Sequence, residues 1–82
     1  MFRIYDLRLA SPGCLTRAAA RVLDSEEVAS CSVESELRRV RFVARPQAAD
    51  AIVHDIYAEG GLTWCSRHDW RPLAGTEATA LE

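Results

Sequence analysis

The alternation of apolar and polar residues changes period along the chain and marks six elements. Residues 2–9 (FRIYDLRL) mix bulky apolar side chains with charges, which suits a strand. Ser11 is a good N-cap and Pro12 fits the first helical position. Over 12–24, Leu15, Ala18 and Ala19, then Val22 and Leu23, recur at helical spacing on one side, with Arg17 and Arg21 off that stripe. Asp24-Ser25-Glu26-Glu27 reads as a polar turn. Residues 28–35 (VASCSVES) predict a strand with Val28, Cys31 and Val33 inward; the step from Val28 to Cys31 breaks alternation and calls for a bulge or a late start. Glu34-Ser35-Glu36 is the expected hairpin loop. Residues 37–44 (LRRVRFVA) then alternate, with Val40, Phe42 and Ala44 facing one way and Arg39 and Arg41 the other. Pro46 opens a second helix over 46–59, its core stripe being Ala49, Ile52, Val53 and Ile56, and Gly60-Gly61 ends it as a C′ glycine would. A last strand is expected over 62–67, with Trp64 in the core.

The order strand, helix, strand, strand, helix, strand allows each helix to cross over in the right-handed sense. It predicts an α+β, ferredoxin-like βαββαβ fold: a four-stranded antiparallel sheet with two helices on one face. The domain is expected to span 1–70. From Asp69 onward the text reads as a flexible tail or linker (71–82), with Trp70 as an exposed contact and Leu81-Glu82 as a vector-encoded dipeptide without function. The fold names no function, because unrelated proteins share it.

With 82 residues the chain makes one domain with a modest core. A formal net charge of −2 does not favour nucleic acid or an anionic membrane as the main partner. No signal peptide and no apolar run of about 20 residues is evident. Three cysteines at irregular spacing, Cys14, Cys31 and Cys65, make a poor disulfide framework; they are expected to be reduced, in the cytoplasm or on the cytosolic face of a transporter.

SPGC lies between the first strand and the first helix. LTRAAARVLDSEEV follows, with Val28 at the exit, and DAIVHDIYAEGGL forms the second helix and its glycine end. Across residues 2–67 this arrangement resembles the heavy-metal-associated (HMA) domains, which carry GMTCxxC at the same point. Here the motif is reduced to SxxC: Cys14 occupies the second cysteine position, Ser11 the first, and Leu9 stands where a buried methionine is usual. The resemblance implies a non-enzymatic accessory domain that handles copper(I) or zinc(II). It would be the N-terminal cytosolic domain of a cation-transporting P-type ATPase or a free-standing relative of the metallochaperones, exchanging a soft cation with a docked partner domain or its parent transporter.

Soft thiolates suit such cations, and a helix N-terminus favours their negative charge. One thiolate alone is a weak site. The second ligand would come from Ser11, which is a poor donor, from Cys65, from a partner, or from a second chain sharing the ion through paired Cys14 residues; otherwise the chain is monomeric. The plain alternative is that SPGC is only an N-cap with Cys14 as a partly buried small residue. Cys65 and His68 have CxxH spacing but lack a second pair, since His54 lies mid-helix facing solvent, and Cys65 otherwise packs under the sheet. Cys31 reads as core. Arg38, Arg39, Arg41 and Arg45 cluster on strand three, either as a solvated face paired with Glu34 and Glu36 or as a docking patch for an acidic partner. Stacking aromatics for RNA are lacking there, and no constellation points to catalysis. The rival function is a protein-interaction or regulatory domain of this fold that binds no metal.

Overall fold

The computed structural model describes residues 1–70. Its elements are β1 (Phe2–Leu9), α1 (Pro12–Leu23), β2 (Val28–Glu34), β3 (Arg39–Ala44), α2 (Pro46–Glu59) and β4 (Leu62–Trp70). The strands form one antiparallel sheet in the order β2-β3-β1-β4, and both helices pack on one face. This is the ferredoxin-like α+β arrangement expected from the sequence. The expected tail over 71–82, and the reading of the Trp70 side chain, lie outside the described residues.

The core sits between the helices and the two central strands. Tyr5, Leu7 and Leu9 of β1 and Val40, Phe42 and Ala44 of β3 are buried against Leu15, Ala18 and Val22 of α1 and Ala49, Ile52 and Ile56 of α2. Burying each large apolar side chain contributes about 1.5–3 kcal/mol. Tyr5 and Phe42 are register partners, and their rings stack at 5.3 Å. The arginines that fall off the α1 stripe face α2 instead: Arg21 donates to Asp55 at 2.8 Å and Arg17 lies 3.9 Å from Glu59. These pairs are largely exposed and contribute about 0–1 kcal/mol each.

Several expectations are corrected. Helix α1 stops at Leu23, with Asp24 as its C-cap; its last turn buries Val22 and leaves Leu23 67% exposed, off the buried stripe. Strand β3 starts at Arg39 rather than 37, since the turn before it takes Arg38 into a left-handed conformation (φ 49°). Strand β4 runs to Trp70 rather than 67, because β1 offers pairing partners as far as Phe2. On β2 the required bulge falls at Ala29 and does turn Val28, Cys31 and Val33 toward the helix side. That strand is an edge, however, so Val33 is 42% exposed, while Cys31 is half-buried and packs against the core from its margin. Trp64 is 49% exposed rather than buried: a second bulge, at Thr63, shifts the register between Arg8 and Leu9 and turns Trp64 to the far face, under the Arg8 guanidinium at 5.6 Å.

On the face without helices, Arg39 and Arg41 close over a buried carboxylate. Asp6, only 5% exposed, accepts from Arg41 at 3.1 Å through both carboxylate oxygens, and Arg39 lies 3.9 Å away. Arg39 also donates to Glu34, one of the two hairpin carboxylates expected to pair with this cluster.

Candidate functional site

The site grows out of the start of α1. Ser11 is extended (φ −149°, ψ 163°), and its hydroxyl accepts from the Cys14 backbone N–H at 3.2 Å. The Ser11 carbonyl accepts from Leu15 at 3.0 Å, and Pro12 supplies the fixed φ of the first helical residue. Cys14 therefore sits in the first turn, half-buried. Its neighbour is the connection between α2 and β4. The Ala10 N–H donates to the Gly61 carbonyl at 2.8 Å, and a Cβ added at Gly61 would lie 2.4 Å from Cys14 Sγ. Gly61 is thus required twice, by its φ of +92° and by the sulfur packed on its Cα. The Arg17 guanidinium donates to Cys14 Sγ at 3.4 Å.

The other sulfur and imidazole groups are not gathered here. Cys65 lies four residues beyond Gly61 in β4, opposite Leu7. At about 3.3 Å per residue the strand carries it about 13 Å along. It is exposed rather than packed under the sheet. Even so, loss of solvent around the thiol pushes it above its ordinary value; Arg67 lowers it in part, and Asp50 and Asp6 raise it again. A thiol held protonated must release that proton to bind a metal. His68 lies opposite Ile4 on the outer face, while Cys65 faces the helix side, so the CxxH spacing cannot chelate. The His68 ring lies 3.4 Å from the Ser66 hydroxyl, and His54 is exposed on α2. Burial alone pushes the Cys31 thiol up. Among the described residues no group of three or more His, Cys, Asp or Glu side chains is placed to hold an ion.

The expected docking arginines carry internal contacts. Arg38 donates to the Ala10 carbonyl at 2.7 Å and thereby braces the segment leading into SPGC, while its own carbonyl accepts from Leu9. Arg39 and Arg41 cover Asp6. Arg45 stacks over Phe2 at 5.5 Å. Two residues of the site were not singled out from sequence. Arg17 stands one helical turn beyond Cys14, a spacing that brings side chains together. Gly61 read only as a helix terminator, and nothing local in the sequence ties it to Cys14.

No family model and no curated protein matches this chain. The resemblance to the heavy-metal-associated domains expected from the sequence therefore finds no support in these comparisons. No helix among the described residues is long and apolar enough to cross a membrane.

Proposed function

We propose that this chain is a soft-metal accessory domain in which Cys14 supplies one thiolate and a docked partner supplies the second. The observation that carries the reading is the setting of Cys14: a first-turn sulfur packed on Gly61 with the Arg17 guanidinium 3.4 Å away. Copper(I) accepts two thiolates in a near-linear arrangement, whereas zinc(II) asks for about four ligands, so copper(I) suits a one-cysteine loop better. Copper(I) held by two thiolates carries a net charge of −1. A guanidinium at one sulfur offsets that charge, which is its use in a site completed by a partner. Transfer between cysteines of docked domains follows from such a centre, and a parent P-type ATPase or a free-standing chaperone role is the setting that the resemblance implies. Cys65, about 13 Å further along β4, is set aside from this centre by its distance.

The test is competition with a copper(I) chelator, with and without a small thiol added as the second ligand. The wild type should bind weakly alone and more tightly with the thiol. Cys14→Ala should abolish both, and Ser11→Cys should raise affinity strongly without help. Binding that survives Cys14→Ala unchanged would remove Cys14 as the ligand. A second reading is an interaction domain of the same fold that binds no metal. It is favoured by the Ser11 hydroxyl, already engaged with the Cys14 N–H, and it predicts no copper(I) retained under either condition.

A further inference from the structure

We propose that the cleft between α2 and β4 is a binding site for a small carboxylic acid with an apolar or aromatic body, its carboxylate held by the Tyr5 hydroxyl and the Arg67 guanidinium. Helix α2 carries two stripes. Ala49, Ile52 and Ile56 enter the core, while Asp50, Val53 and Tyr57, at the same helical spacing, look over β4. Strand β4 is an edge, and its helix-side residues Cys65 and Arg67, opposite Leu7 and Tyr5, face α2 across the cleft, touching it through the Arg67–Asp50 pair. The result is an open cleft of about 470 Å³ with Val53, Tyr57, Leu62 and Cys65 among its walls. Small-molecule sites have volumes of about 300–1,000 Å³, mostly apolar walls and a few placed polar groups.

The placed polar groups are on the floor and at the mouth. Tyr5 is 1% exposed and lines the cleft, and its buried hydroxyl has no acceptor for its proton, since its one neighbouring polar group, the Arg67 guanidinium, can only donate. A buried donor without an acceptor is unfavourable, and a ligand oxygen would relieve it. Arg67 acts on the oxygen of that hydroxyl as a charge and as a hydrogen-bond donor, and Asp50 stands 3.5 Å from the guanidinium, with the Arg67 and Asp50 side chains well exposed. An idle hydroxyl donor beside a cation in an apolar cleft fits a ligand with one anionic, hydrogen-bond-accepting head and an apolar body. Asp50 disfavours a doubly charged head such as phosphate, so a monocarboxylate is the better match. Cys14 does not line this cleft, so the inference stands or falls apart from the metal reading.

The test uses the full chain in an amide NMR titration with phenylacetate and, as its neutral counterpart, phenylacetamide. Phenylacetate should give saturable shifts at millimolar concentration in residues 50–57 and 62–67. Affinity should fall about fivefold in Tyr5→Phe, which keeps the ring stack, and about tenfold in Arg67→Gln and for the amide. Absence of saturable shifts in those segments would overturn the proposal. So would shifts that both variants and the neutral amide reproduce with unchanged midpoints.

Discussion

The central strands and the edge strands of this sheet are built from similar residues and meet different fates. On β1 and β3, Leu7, Val40, Phe42 and Ala44 are each 0% exposed, with strands on both sides and helices above. On β2 and β4, Val33 and Cys65 point to the same helix-covered side yet remain exposed, and each edge strand carries a bulge. The helices rest mainly on β1, β2 and β3, so β4 is covered less closely and opens onto the cleft around Cys65 and Arg67. The difference separates two jobs. Packing at the centre supplies the stability, and the edge, which contributes little to it, supplies an accessible cleft.

The sharpest way to break this comparison is to truncate one aromatic residue from each region. Phe42→Ala should lower stability by about 3–5 kcal/mol, from lost burial and the cavity left behind. Small domains hold about 5–15 kcal/mol in all, so Phe42→Leu is the variant to use if the alanine form is too unstable to purify. Trp64→Ala, at an exposed edge position with only the Arg8 stack to lose, should cost about 1 kcal/mol or less. Urea unfolding of both measures the contrast. Equal losses would mean that the edge is part of the core after all.

The next largest effect is expected at Gly61, where the edge strand begins and the Cys14 loop closes. Gly61→Ala places a Cβ at φ +92°, which costs about 1–2 kcal/mol, and drives it into Cys14 Sγ. A total near 2 kcal/mol is expected. Adding Cys14→Ala removes the sulfur clash but leaves the strain and the contact with Cβ, so the double variant should recover only part of the loss. Strict additivity of the two changes in a double-mutant cycle would show that the sulfur does not pack on this glycine.

The same division explains how much could be read from the sequence. The inward set Val40, Phe42 and Ala44 followed from simple alternation, and α2 was bounded correctly by Pro46 and Gly60-Gly61, because those signals are local. Trp64 was misplaced because a single extra residue, Thr63, reverses the face of everything after it. Asp6 read as one more polar strand residue; its partners Arg39 and Arg41 lie in a different strand, joined to it only by the register. The helix-capping half of the Cys14 site was legible in SPGC. The half made by Gly61 was not, since it depends on where the second crossover returns.

The smallest effect expected is alkaline, and it discriminates edge from centre by pH. All ten basic side chains are arginines, so no lysine titrates in this range. Burial raises the Cys31 thiol above its ordinary 9.0, and desolvation with Asp50 and Asp6 raises Cys65 against the lowering by Arg67. The Tyr5 hydroxyl is raised above 10.0, chiefly by burial and then by Asp50, with Arg3 and Arg67 opposing. A group whose folded pKa is raised keeps its proton in the native state after the unfolded chain has lost it. The unfolded state then binds fewer protons, and stability falls as pH rises. These contributions are intact below pH 9. The two edge thiols should begin to erode stability as pH passes 9.0, and Tyr5 should add to the loss above 10.0. Urea midpoints measured at neutral pH, just above 9 and above 10 should therefore decline in two stages. Cys31→Ala with Cys65→Ser should flatten the first stage and spare the second, while Tyr5→Phe should do the reverse. A midpoint that holds or rises through the first stage in the wild type would mean that the edge thiols are as solvated in the folded protein as in the unfolded chain.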